Sequence, residues 1–142
     1  MTSISFYFNV PDKTLLLAQL LQKALHQHRK ATVFVEHAEA GHALSSHLWE
    51  QANVSFLANA VAEEAWASVT PIMIAWQPHT VFQDDLLVNL QSTQLTFFSR
   101  FKQLIEIVGL DEADKAAARQ RFSFYRDRGY EIKPVDMLKK SI

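Results

Sequence analysis

Apolar and polar positions alternate from Ile4 to Phe8 in a run of β-branched and aromatic types, which predicts a first strand. After Pro11 and Asp12 the apolar period changes. Leu16, Leu17, Leu20, Leu21 and Leu25 recur at helical spacing, so a helix is predicted to open at that pair and run to about His28. Thr32 to Glu36 reads as a second strand, followed by a helix from about Glu39 to Gln51 carrying Ala43, Leu44, His47 and Leu48. Ile72 to Trp76, fenced by Pro71 and Pro78, is a third strand and Leu86 to Leu90 a fourth. Phe97 to Phe101 forms a short helix and Leu104 to Val108 a fifth strand ended by Gly109. Asp111 supplies an N-cap for the last helix, and Gly129 supplies its left-handed stop. Strands alternating with helices at these intervals predict one α/β domain over residues 1–142, with a three-layer, open and largely parallel sheet.

The predicted last helix carries the least ordinary chemistry. From Lys115 to Tyr130, four arginines and a lysine are interleaved with Phe122, Phe124, Tyr125 and Tyr130. At helical period Lys115, Arg119, Phe122 and Arg126 share a face, a cationic row with an aromatic set into it. Up to Arg128 the only carboxylate in the stretch is Asp127, so i,i+4 pairing does not neutralise the row. A solvated helix end whose cations favour the C-terminal dipole accounts for Arg126 and Arg128. It leaves Lys115 and Arg119 unexplained, since they sit near the helix start. Such a face suits an acid.

Whole-chain charge limits which acid. With 14 Lys+Arg against 15 Asp+Glu the formal net charge is -1, so the chain lacks the basic field of a general nucleic-acid binder. A local patch on a neutral body points to a peptide or short acidic segment. No cysteine is present, which excludes a disulfide framework, a thiolate nucleophile and a Cys-ligated metal, and fits a reducing cytosol. No apolar run approaches the ~20 residues of a membrane span, and the N-terminus lacks a signal-peptide pattern. A cytoplasmic protein without a membrane partner is expected.

Catalytic and cofactor patterns are weak. A phosphate loop needs glycines, and this chain has Gly41, Gly109 and Gly129, none of them read at a strand–helix turn, while Pro11 removes a donor at the first such junction. Asp84-Asp85 has the form of a magnesium-binding pair but no phosphate loop, so a helix N-cap is its expected role. His42 and His47 lie five apart, not at the i,i+4 spacing of metal ligands on one helix face. No Gly-x-Ser-x-Gly elbow occurs, and the adjacent Glu63 and Glu64 point apart on a helix. No cofactor or metal is expected, and the chain reads as a binding module rather than an enzyme.

A second cluster supports that reading. Leu48, Trp49, Val54, Phe56 and Leu57, with Trp66 further on, crowd large apolar groups around a helix end. Burial in the core is one explanation. Trp49 and Phe56, however, flank the polar turn Gln51-Ala52-Asn53, and exposed aromatic anchors of this kind are interface hot spots.

Over nearly its whole length the chain resembles the chi subunit family of bacterial DNA polymerase III holoenzyme. The resemblance is carried by Phe6-Tyr7, Leu48-Trp49, Ser55-Phe56-Leu57 and Ile74-Ala75-Trp76, and most specifically by Ala118-Arg119-Gln120-Arg121-Phe122 with Tyr125-Arg126 and Gly129-Tyr130. It implies a Rossmann-like fold without a nucleotide-binding loop, and a non-catalytic adaptor of the clamp loader. By position, Lys115 and Arg119 match the lysine and arginine that hold the acidic, phenylalanine-ended C-terminal tail of single-stranded-DNA-binding protein. Phe122 stands for the family's tyrosine, and Ser123 for a position that is basic in some members; Arg126 extends the row. Trp49 and Phe56 match the residues that meet the psi subunit, a surface that a helicase-like partner uses in some bacteria. DNA is then contacted only indirectly. The alternative is a small single-stranded nucleic-acid-binding protein using the same basic-aromatic helix for phosphates and stacking.

Overall fold

A computed structural model describes residues 2–50, 59–61, 71–77 and 84–138. Ser3–Phe8 forms β1, and Asp12 then caps α1 (Lys13–His26) by accepting the Leu15 N–H at 3.1 Å. The leucine period buries Leu16, Leu17, Leu20 and Leu21, and the chain leaves α1 through His28 in the left-handed region, φ 56°. Next come β2 (Ala31–Phe34), α2 (Ala38–Glu50), β3 (Asn59–Val61), β4 (Ile72–Ala75) and β5 (Leu86–Asn89). A 3-10 turn at Phe98–Arg100, β6 (Gln103–Ile107), α3 (Glu112–Asp127) and β7 (Ile132–Asp136) complete the order. These strands make one seven-stranded sheet, ordered β3-β4-β2-β5-β6-β1-β7, with every neighbouring pair parallel.

Alternation along the strands sorts the core into two layers. Val33, Ile72, Ile74, Val88, Ile105 and Ile107 face α1 and α2, packing on Leu17, Leu21 and Leu48. On the opposite face Ile4, Phe6, Phe34, Met73, Leu87 and Leu104 meet Ala118 and Tyr125 of α3, together with Leu95, Phe98 and Phe101 from the β5–β6 connection. The central strands are buried on both faces, as a parallel sheet requires.

Most of the predicted elements appear within a residue or two of their expected ends; β3 and β7 were not predicted. β7 reads Ile-Lys-Pro-Val-Asp, a poor strand by composition, and Pro134 is tolerated because β7 lies at the sheet edge and pairs on one side only, with β1. As expected, Asp111 caps α3 by accepting the Asp114 N–H at 3.1 Å, and Gly129 leaves the helix at φ 86°. Asp84-Asp85, in contrast, caps no helix. The pair precedes β5, and the Asp85 carboxylate takes Arg29 Nη2 at 2.8 Å and Nε at 3.1 Å. Those bonds with Arg29 outweigh desolvation and hold the Asp85 carboxyl below its usual range.

Candidate partner-binding cleft

The side chains of Phe6 and Phe8 leave β1 on the α3 side, and the register sets Phe6 beside Pro134 of the edge strand. From α3, Phe122 meets Phe6 edge-on, with ring centroids 5.3 Å apart at 68°. Between this helix and the β1–β7 edge lies an open cavity of about 460 Å³. Phe6, Phe8, Val108, Ala118, Phe122 and Pro134 line its apolar part, and Lys115, Arg119 and Asn9 supply its polar rim. Asn9 adopts φ 58°, a conformation its short amide tolerates, and its Nδ2 donates to Asp136 Oδ1 at 3.1 Å. That bend ends β1 and leaves the Phe8 side chain at the cavity wall.

Lys115 is half-buried and Arg119 exposed. Among the described residues neither side chain takes part in an ion pair. The nearby Asp114 carboxylate is already engaged, by Lys13 Nζ at 3.1 Å and by the Gly109 N–H at 2.6 Å. Desolvation pushes the Asp114 carboxyl up, but those two donors outweigh it and hold it below the usual range. The cleft therefore combines apolar walls with two cations that no described carboxylate pairs. Ser123 and Arg126 do not line it; Arg126 lies across from Asp127 at 3.7 Å on the open surface, where an ion pair contributes little.

Arg121 does something the sequence did not suggest. It turns into the core, 2% exposed, where its Nε donates to Glu106 Oε1 at 3.0 Å and its Nη1 to the Ser92 carbonyl at 2.8 Å. Glu106 also accepts the Tyr125 hydroxyl at 2.6 Å and Asn89 Nδ2 at 3.0 Å, both on Oε2. Burial pushes the Glu106 carboxyl up, with the Arg121 charge and these hydrogen bonds pulling against it. Burial and the adjacent carboxylate drive the Tyr125 phenol far above its ordinary value. Phe8, Asn9, Val108 and Pro134 were also missed as cleft residues. The alternation from Ile4 through Phe6 already marked Phe8, whereas Pro134 could not be placed without β7.

The other candidates separate clearly. Trp49 lies in the last turn of α2, but its side chain and the whole of Phe56 fall outside the described residues, as does Glu63-Glu64. Gly109 does stand at a strand–helix turn, contrary to the reading from sequence, yet its N–H is held by Asp114 and is not directed to an outside anion. Among the described residues no group of three or more His, Asp or Glu could hold a metal ion, and no helix is long and apolar enough to cross a membrane.

Fold and site together define an all-parallel, Rossmann-like α/β domain that has no glycine-rich phosphate loop and opens a cationic, aromatic-walled cleft against its last helix. Residues 1–133 match the family described as DNA polymerase III chi subunit, HolC, and the chain belongs to that family. It is 28% identical over 136 residues to the DNA polymerase III subunit chi of Pseudomonas aeruginosa, covering 93% of this chain and 94% of the relative. To that of Escherichia coli it is 23% identical over 141 residues, covering 93% and 96%. To that of Haemophilus influenzae it is 33% identical over 90 residues, covering 63% and 62%.

Proposed function

We propose that this protein is a non-catalytic adaptor of the clamp loader of DNA polymerase III, and that its cleft captures the acidic, phenylalanine-ended C-terminal tail of single-stranded-DNA-binding protein. One observation carries the reading: among the described residues Lys115 and Arg119 have no ion-pair partner, and they stand at the rim of a cavity walled by Phe6, Phe8 and Phe122. The terminal phenylalanine ring enters the apolar part while its α-carboxylate and the tail's acidic side chains meet the two cations in charge-assisted hydrogen bonds. Arginine suits this position because its planar fork can hold a carboxylate bidentately. Modest affinity suffices, since many tails on one coated strand raise the effective concentration. Trp49, on α2, and Phe56 dock a psi-type clamp-loader subunit or a helicase-like partner.

The test is fluorescence anisotropy with a labelled acidic peptide ending in phenylalanine. Arg119→Ala removes a charge-assisted bond worth ~1.5 to 3 kcal/mol, so the Kd should rise at least about tenfold with the fold intact. A well-folded variant with an unchanged isotherm takes Arg119 out of the site. A bare single-stranded oligonucleotide should not bind; steeply salt-dependent binding of that oligonucleotide would instead favour direct phosphate contact.

A further inference from the structure

Helix α3 carries the whole cationic side of the cleft, and its apolar footing includes the partly buried rings of Phe122 and Phe124. Of its residues only Ala118, Arg121 and Tyr125 are buried, and two of these three are polar. Phe122, Phe124 and Tyr125 pack α3 on Phe6 and Phe98 through ring edges, with Ala118 in the same cluster. Its two largest buried side chains also converge on one carboxylate, Glu106, which projects from β6 between Leu104 and Val108 on the same face of the sheet. Asn89 of β5 fixes that carboxylate from the other side at 3.0 Å, and is itself tied to the Thr93 carbonyl at 3.0 Å. Arg121 adds a second point of attachment at the Ser92 carbonyl. Every buried side-chain nitrogen and oxygen among the described residues has a partner, so the network is complete.

Helical geometry translates this anchorage into the position of the cleft residues. At about 100° per residue, taking Arg121 as zero, Tyr125 lies near 40° and Ala118 near 60°, while Phe122, Lys115 and Arg119 fall near 100°, 120° and 160°. Anchors and cleft residues thus occupy adjoining arcs of one rigid cylinder. A binding group is useful only when held to within roughly 10–20° of its working direction, a tolerance that two well-directed hydrogen bonds from a planar guanidinium set more narrowly than ring-edge contacts alone.

We infer that the buried Arg121–Glu106–Tyr125 network is the positioning device of the cleft: it sets the rotation of α3 on the sheet and so directs Lys115, Arg119 and Phe122 at an acidic peptide without touching it. This rests on the tail-binding reading for its ligand but not for its geometry, and the two can be tested apart. The triple variant Glu106→Leu/Arg121→Met/Tyr125→Phe exchanges the polar cluster for apolar groups of similar size, a kind of replacement that buried ion pairs often tolerate. It should fold cooperatively, lose or redistribute the NOEs between the Phe122 and Phe6 rings, and bind the phenylalanine-ended acidic peptide at least about tenfold more weakly with every cleft residue intact. Arg121→Lys, a milder variant, keeps the charge but cannot span Glu106 and the Ser92 carbonyl together, and should weaken the peptide by about threefold with a partial NOE change. Unaltered ring NOEs in the folded variants would overturn the inference. Should the wild-type protein not bind the peptide at all, the tail reading falls, and the NOE comparison still decides whether the network orients α3.

Discussion

Tyr125→Phe isolates one bond of the buried network. Both Tyr125 and Glu106 are 0% exposed, and the hydroxyl donates at 2.6 Å to Oε2 of the same carboxyl that Arg121 pairs through Oε1 at 3.0 Å. Phenylalanine keeps the ring and therefore its edge contacts with Phe98 at 4.8 Å and Phe6 at 6.1 Å, so no cavity opens. What is lost is a hydrogen bond to a charged group, ~1.5 to 3 kcal/mol. Unfolding entropy near the melting point is about 2.1 cal/mol/K per residue, or about 0.3 kcal/mol/K over 142 residues. The variant should melt about 5–10 °C below the wild type at neutral pH, read by calorimetry or by far-UV circular dichroism.

Alkaline pH supplies an internal control. Burial, then the Glu106 charge, hold the phenol above its ordinary value in the fold, whereas in the unfolded chain it ionises near 10. A raised folded value means that this stability is present in full below the unfolded value and is lost progressively as pH climbs toward the folded one. By pH 11 about 1.4 kcal/mol has gone from the wild type, so the gap to Tyr125→Phe should shrink by about 5 °C. A neutral-pH gap below about 2 °C, or a gap that stays constant from about pH 8 to 11, would show that the hydroxyl bond is not what holds this corner of α3.

Asp85→Asn should cost about 1 kcal/mol at neutral pH, the modest figure reflecting the partial exposure of both Arg29 and Asp85. Because Arg29 depresses the folded value of that carboxyl, its stability is present above the unfolded value of about 3.9 and is lost as pH falls through the folded one; denaturant midpoints of the two proteins should converge in acid, and a gap that persists there rules the pair out. Phe56→Ala should cost the clamp-loader interaction about 2 kcal/mol or more in a pull-down and leave peptide binding unchanged, whereas early melting with loss of both activities would place Phe56 in the core. Millimolar ATP with magnesium should leave the melting temperature unmoved, since saturation at 100 times a dissociation constant would add ~2.7 kcal/mol; a reproducible upward shift would overturn the adaptor-only reading.

Legibility from sequence followed the range of the interactions involved. α1 and α3 could be read because their caps, Asp12 and Asp111, act within three residues, and the central strands because alternation or an unbroken apolar run survives in the chain itself. β7 could not be read. Its stability comes from pairing with β1, more than a hundred residues away in the chain, and its own composition, with Lys133 and Pro134 at its centre, argues against a strand. Lys115, Arg119 and Phe122 were legible as a shared helix face, but the cleft they border needed Phe8, Val108 and Pro134 from three other segments.

The buried arginine shows where a local reading of charge fails, and also what would have corrected it. Arg119 and Arg121 are chemically identical and two residues apart, which on a helix is about 200° of rotation, so one must face the sheet if the other faces solvent. Which one turns inward is decided by Glu106, fifteen residues upstream of Arg121 in Leu-Ile-Glu-Ile-Val, a carboxylate that strand alternation puts on the same face as Leu104. A charge there is untenable in a buried strand without a counter-charge from whatever covers that face. The basic stretch is therefore two systems interleaved on one helix: an inward pair, Arg121 and Tyr125, that fixes the helix, and a cleft-facing group, Lys115, Arg119 and Phe122, whose usefulness depends on how it is fixed.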